Sequence, residues 1–324
     1  MSEPLVNGYR GRLAPSPTGF LHLGHARTFW VAWQRARSAQ GKLIFRNEDL
    51  DYQRCKPEFV QAMYEDLRWL GLDWDEGPDI ITPQPGKNGQ PGDPGIGGPL
   101  APYSQSERRT FYLDAWRKLR DSGSIYPCTC SRKDLERSLS APHEPLHGAV
   151  TAGDVAPADD EVLYPGICHE KISTAANYDY PAGLSWRFKV PDGETILFED
   201  GYFGRQQFIA GRDFSDFLLW RRDDIPAYQL AVVVDDAAMR ITEIVRGEDL
   251  LKSTARQLLL IRVLGYPVPA YFHCPLLRDE KNARLAKRHD ALSLRKLREQ
   301  GTNPETLRNK FSLEMSSQGN KLQR

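Results

Sequence analysis

Apolar residues recur along this chain in two rhythms, one helical and one extended, and their alternation predicts an α/β fold. Residues 10–14 are short and extended and lead into a glycine-containing turn. Residues 26–39 place Phe29, Trp30, Trp33 and Ala36 on one helical face, and residues 42–46 read as a strand. A strand, crossover helix and second strand of this length predict a parallel βαβ unit. Its first turn then lies at the carboxyl end of a strand, where open α/β sheets bind ligands. Further helices are predicted over 57–70, with Pro57 near the first turn, and over 106–122, with Phe111, Leu113, Trp116 and Leu119 as the apolar positions. Strands are predicted over 184–190, 217–220, 230–234 and 241–245, and a strongly amphipathic helix over 250–264. Two stretches break the rhythm: 84–102 reads as a Pro/Gly-rich surface insertion and 140–161 as a loop rich in Ala, Pro and Asp. The polar tail after Ser312 reads as frayed, and no internal repeat is visible.

Composition narrows the class. The 324 residues can hold one large domain or two smaller ones, and 40% hydrophobic with 27% charged residues is ordinary for a globular protein. The formal net charge of zero means that a nucleic-acid partner must be met by local basic patches. Arg278, Lys281, Arg284, Lys287, Arg288, Arg295, Lys296 and Arg298 form one such run, and it reads first as a solvated helical face. No apolar stretch approaches transmembrane length and residues 1–10 lack a signal core, so a cytoplasmic location is expected. Five cysteines do not suggest a disulfide framework.

The candidate chemistry concentrates in His22-Leu23-Gly24-His25, which follows Pro15-Ser16-Pro17-Thr18-Gly19 and precedes the first helical run. A turn feeding a helix N-terminus presents free N–H groups and the positive end of the macrodipole, which favour an anion. Gly24 lets backbone approach a ligand, and both imidazoles can donate to phosphate oxygens. Two histidines three apart can also be zinc ligands, though no third ligand stands at useful spacing, or plain polar residues at a helix start.

Cys128-Thr129-Cys130 and Cys168 make a second cluster, suited to a structural zinc ion that wants four closed ligands. Tyr164, His169, His143 or His147 can supply the fourth; the alternative is buried free cysteine. Cys55 and Cys274, in apolar contexts, are expected in the core.

The stretch from Arg12 to Gly19 with His22 to His25 resembles the opening of class I glutamyl-tRNA synthetases. Phe45-Arg46-Asn47-Glu48-Asp49-Leu50-Asp51, Pro226 to Asp236, and Ile244-Val245-Arg246-Gly247-Glu248-Asp249-Leu250 resemble later motifs of that family, and Arg284-Leu285-Ala286-Lys287-Arg288 its lysine-rich loop. The resemblance implies a Rossmann-like doubly wound parallel sheet, a zinc-binding α+β insertion and a short helical C-terminus. Its implied division is 1–110 and 200–275 for the catalytic halves, 111–199 for the insertion, and 276–324 for the lysine loop and closing helices, with no anticodon-binding domain. The early end of the chain and the Cys/Tyr pattern further resemble the short glutamyl-Q tRNA(Asp) synthetase branch. That branch activates glutamate with ATP and transfers it to queuosine in the tRNA(Asp) anticodon.

On this resemblance His22, Gly24, His25 and Lys287 bind ATP, with His22, His25 and Lys287 catalytic and Mg²⁺ accompanying the nucleotide. Arg12, Ser16, Glu48, Tyr228 and Arg246 bind glutamate. Cys128, Cys130, Tyr164 and Cys168 hold one Zn²⁺, and the insertion holds the anticodon stem-loop. A monomer is assumed. Arg284 and Ala286 stand where many relatives carry Lys and Ser, and Val232 where full-length glutamyl-tRNA synthetases tend to carry Asn. A truncated glutamyl-tRNA synthetase that charges tRNA(Glu), or a catalytically silent tRNA-binding paralogue, is the competing reading.

Overall fold

A computed structural model describes residues 8–78, 97–131, 163–181, 183–277 and 293–322. Strand β1 (Arg10–Leu13), helix α1 (Leu23–Ser38) and strand β2 (Lys42–Phe45) form the expected βαβ unit, with β1 and β2 parallel from Arg10↔Lys42 to Leu13↔Phe45. Helix α1 starts earlier than its apolar rhythm suggested, because His22 caps it through Nδ1, which accepts from Gly24 N–H at 3.1 Å. Its buried face carries Ala26, Trp30, Val31 and Ala36, while Phe29 and Trp33 are only half-buried. Helix α2 (Pro57–Trp69) follows, with Pro57 in the first turn. Helix α3 (Arg109–Asp121) buries Tyr112, Ala115, Trp116 and Leu119, leaving Phe111 exposed beneath the Arg108 guanidinium.

Strands β3 (Ile125–Cys128), β4 (Ser185–Phe188) and β7 (Phe217–Trp220) form an antiparallel sheet in the order β3-β4-β7. Strands β5 (Thr195–Asp200) and β6 (Gly204–Ile209) form a hairpin that periodicity did not reveal. The hairpin meets β9 (Ala270–Cys274) at Asp200↔Tyr271, and β9 runs parallel to β8 (Glu243–Gly247). Hydrogen bonds between Arg10 and Thr242 bring β1 beside the start of β8. The expected single parallel sheet is therefore realised as two parallel ladders, one of which an antiparallel hairpin extends, and a separate antiparallel sheet.

Residues 230–234 are not a strand. They lie in helix α4 (Tyr228–Ala238). A short run of Leu, Ala and Val suits either state when it is buried on all sides, and this helix is: Leu230 through Asp236 are all buried. Its two acidic residues find arginines inside the protein. Asp235 accepts from Arg108 Nε at 2.6 Å, Gln105 and Tyr112; Asp236 accepts from Arg46 Nη1 at 2.6 Å and Arg12 Nε at 3.2 Å. The strand placed at 241–245 starts two residues later, since Thr242 is taken by β1.

After the short 3₁₀ turn Glu248–Leu250, helix α5 (Leu251–Leu264) ends on Gly265 in the left-handed region (φ 68°). Helices α6 (Leu294–Glu299) and α7 (Pro304–Leu322) close the chain. The tail after Ser312 is thus helical: Leu307 and Phe311 anchor α7 in the core, with Phe311 6.2 Å from the Trp30 ring. On α6, Arg295 pairs with Glu299 and Arg298 with Glu65, as a solvated basic face would; residues 278–288 of the basic run lie outside the described residues. Cys274 is buried as expected, but Cys55 is half-exposed at the start of α2 and does not join the core. Among the described residues no helix is long and apolar enough to cross a membrane.

Candidate active site

The carboxyl ends of β1, β2 and β8 and the start of α1 surround one cleft with two lobes of about 530 and 540 Å³. Both lobes share His22, His25, Glu48 and Tyr228. Arg12, Gly24 and Arg246 line the first, and Ser16 lines the second. The structure therefore gathers eight of the nine predicted glutamate and nucleotide residues, drawn from positions 12 to 246. The ninth, Lys287, lies outside the described residues. The described chain on either side of it borders the cleft: Leu277 lines one lobe, and Ser293 lines the other and bridges to His22.

His22 and His25 stack with ring centroids 3.7 Å apart and planes at 25°. Because His22 Nδ1 accepts from a backbone N–H, its proton sits on Nε2 in the neutral ring. A Cβ at position 24 would lie 3.0 Å from His22 Cε1 and press on that ring. The first turn of α1 contains no acidic side chain, so the helix's own sequence leaves its positive terminus open to an anion.

Charge on the opposite wall is arranged in a network. Arg46, wholly buried, donates to Glu48 Oε1 at 2.9 Å and to Asp236. Burial opposes ionisation of Asp236, but Arg46 and Arg12 outweigh it and hold its carboxyl below the usual range. For Glu48 burial wins over Arg46 and pushes its pKa up. Ser16 Oγ lies 3.4 Å from Glu48 Oε2. Arg12 is committed on one side to Asp236 and the Val245 carbonyl, so its guanidinium is less free than its motif position suggested.

Arg246 differs. It is 4% exposed, and its partners are all neutral: His273 Nε2 at 3.1 Å, Gln257 Oε1 at 2.8 Å and Thr254 Oγ1 at 2.6 Å. No described carboxylate lies within ion-pair distance of it. Arg12 and Arg46 pair with Asp236, Arg46 also with Glu48 and, at 3.9 Å, with Asp235, which Arg108 holds more closely behind the cleft. Val232 is buried in the core and does not line the cleft.

The cysteines form a second centre at the end of β3. Cys128, Cys130 and Cys168 place their sulfurs within 4.8 Å of one another. Cys130 and Cys168 are 3.6 Å apart, and the Tyr164 hydroxyl is 3.5 Å from both Cys128 and Cys130. A tetrahedral ion with Zn–S bonds of about 2.3 Å separates its sulfurs by about 3.8 Å, so the three cysteines suit such an ion, and the Tyr164 hydroxyl is the nearest described oxygen to a fourth position. His169 turns away to Asp216, which the Tyr126 hydroxyl also reaches; His143 and His147 lie outside the described residues. The Arg187 guanidinium stacks 3.9 Å from the Tyr164 ring centroid and donates to Cys128 Sγ, placing positive charge beside the thiols.

Sequence reasoning missed Thr254, Gln257 and His273, which contact Arg246, and Asp200, which holds His273 from behind. The signal available was a single histidine in an apolar run, Tyr271-Phe272-His273-Cys274. It overlooked the pairing role of Arg46 and Asp236, although both lie inside motifs it had singled out.

Residues 9–322 match the family described as tRNA synthetases class I (E and Q), catalytic domain. A glutamyl-Q tRNA(Asp) synthetase from Symbiobacterium thermophilum is 47% identical over 92% of this chain and 83% of its own length. One from Nitratidesulfovibrio vulgaris is 45% identical over 90% and 82%. Among solved structures, a glutamate tRNA ligase from Elizabethkingia meningosepticum in complex with its amino acid superposes with a TM-score of 0.68 at 29% identity, covering 87% of this chain. The chain spans about half of that larger protein. The chain belongs to the class I tRNA synthetases (E and Q).

Proposed function

We propose that this enzyme activates L-glutamate with ATP and transfers it to queuosine in the anticodon of tRNA(Asp). The observation that carries the amino-acid assignment is Arg246, a buried guanidinium at the cleft with no described carboxylate partner. The relatives that match along most of their own length carry the glutamyl-Q tRNA(Asp) synthetase name, and this supports the choice of acceptor. Charging of tRNA(Glu), the activity named for other relatives, is the competing reading, and the product distinguishes them.

In the first step an oxygen of glutamate's α-carboxylate attacks the α-phosphorus of ATP and pyrophosphate leaves. Arg246 receives the side-chain carboxylate, Glu48 receives the ammonium, and Arg12, Ser16 and Tyr228 complete the amino-acid subsite. The His22 Nε2–H, His25 and the N-terminus of α1 meet the phosphates as charge develops at phosphorus, with Gly24 allowing the close approach. The pyrophosphate is assigned to Lys287 by the resemblance of its motif alone, since that residue lies outside the described residues. Mg²⁺ bound with ATP supplies further neutralisation of the phosphates. In the second step a hydroxyl of queuosine's cyclopentenediol attacks the mixed anhydride and AMP leaves. We place this reaction in the cytoplasm, where tRNA and ATP meet.

Zinc, held by Cys128, Cys130, Tyr164 and Cys168, is a structural clamp in this account. Cys128→Ser is expected to lose one zinc per chain by elemental analysis and to weaken transfer to tRNA more than activation. A wild-type protein that is active and free of zinc would remove the ion from the account. Amino-acid choice is tested by ATP–pyrophosphate exchange across the twenty amino acids, with tRNA present. Exchange with glutamate alone is expected; equal exchange with glutamine would contradict the assignment of Arg246.

A further inference from the structure

Arg246 is held from behind by a chain of hydrogen bonds that ends on a carboxylate outside the cleft. An arginine Nε–H only donates, so His273 Nε2, 3.1 Å away, accepts. The His273 proton therefore sits on Nδ1 and is donated to Asp200 Oδ2 at 2.6 Å. Asp200 also accepts the backbone N–H groups of Tyr202 and Phe203 at 3.0 and 2.9 Å, and that of His273 at 3.1 Å. It stands where the β5–β6 hairpin joins β9, so the hairpin that sequence rhythm did not reveal anchors this chain. His273 is wholly buried and neither it nor Asp200 lines the cleft.

By donor count, Nε and one N–H each of Nη1 and Nη2 are consumed by His273, Gln257 and Thr254, leaving two N–H groups of Arg246 uncommitted. We propose that Asp200 and His273 are positioning residues for substrate selection. By fixing the histidine tautomer they keep Nε occupied, and Thr254 sets the guanidinium plane, so that the remaining pair of N–H groups meets the substrate's side-chain carboxylate. This inference rests on the glutamate reading above. Asp200 must stay a carboxylate for it to work. An amide there can turn its own NH₂ to His273 Nδ1, and the ring proton then moves to Nε2, against Arg246. Neutral His273 suits the role. Burial lowers its pKa, and a second proton would face the guanidinium.

The test is glutamate-dependent pyrophosphate exchange with Asp200→Asn, His273→Leu and His273→Gln, each checked for native folding by thermal melting. Asp200→Asn and His273→Leu are expected to raise the glutamate KM by about 10- to 100-fold, the range for a lost hydrogen bond to a charged group, with the ATP KM changed less than about threefold. Gln keeps an acceptor toward Nε and a donor toward Asp200, so His273→Gln is expected to recover most of the loss seen in His273→Leu. Should His273→Leu fail to fold, Thr254→Val, which removes the Nη2 acceptor at nearly constant volume, takes its place. An unchanged glutamate KM in Asp200→Asn, or equal losses in both KM values and kcat, would overturn the positioning role. Wild-type protein without glutamate-dependent exchange would instead overturn the reading of the cleft itself.

Discussion

Arg246→Ala is expected to abolish glutamate activation at ordinary substrate concentrations. The residue is a buried cation whose hydrogen-bond partners are all neutral and which has no described carboxylate at ion-pair distance, so an anion entering the cleft would be its first direct charge partner. Removing one member of a desolvated charge pair costs about 3–5 kcal/mol, which corresponds to roughly 10²- to 10³-fold or more in kcat/KM. The loss should fall mainly on the glutamate KM, because the side-chain carboxylate is bound alike before and during phosphorus attack. Arg246→Lys should recover little, since an ammonium cannot fill three fixed acceptors and still offer a fork. Steady-state exchange with glutamate and ATP varied separately checks both statements. Normal glutamate kinetics in Arg246→Ala would remove this residue from the pocket.

His25→Ala is expected to act on the other substrate and on a different parameter. His25 stacks on His22 at the start of α1 and lines both lobes of the cleft. Its work is done as charge grows at the α-phosphorus, so its loss should lower kcat rather than weaken glutamate binding. Loss of one preorganised donor at such a centre costs about 10²- to 10³-fold in kcat. Measured by pyrophosphate exchange at saturating glutamate, an unchanged kcat would deny His25 a phosphate role. The contrast between the two variants is informative in itself, because a merely destabilised cleft would damage both parameters in both proteins.

Much of this cleft was legible in the sequence because its residues sit in short ordered motifs with local causes. The βαβ unit follows from apolar periodicity, and the His22 to His25 turn from a glycine and two histidines at a helix start. Charge pairing was not legible. Arg12 looked like a free carboxylate fork, yet Asp236, more than two hundred residues away, occupies one side of it. The Val-rich stretch of α4 carries no period when every face is buried, so it read as a strand until its acidic residues were seen to meet Arg46 and Arg108. Asp200 and His273 had no motif at all. Their importance comes from β5 meeting β9, a long-range pairing that local pattern does not encode. The tail failed for a related reason: Leu307 and Phe311 are too sparse to show amphipathicity, but their burial, with Phe311 against Trp30, holds the helix.

The division of labour between the cleft and the cysteine centre leads to the central claim. In the proposed account the cleft selects glutamate and joins it to AMP, and the cysteine-bearing segment around β3 is assigned to the tRNA. The direct measurement is transfer of radiolabelled glutamate, with ATP and the wild-type protein, to total tRNA prepared with and without queuosine, followed by mapping of the labelled nucleotide. The account predicts label in the anticodon loop of tRNA(Asp), present only when queuosine is present. Label at the 3′ end of tRNA(Glu), independent of queuosine, would contradict it.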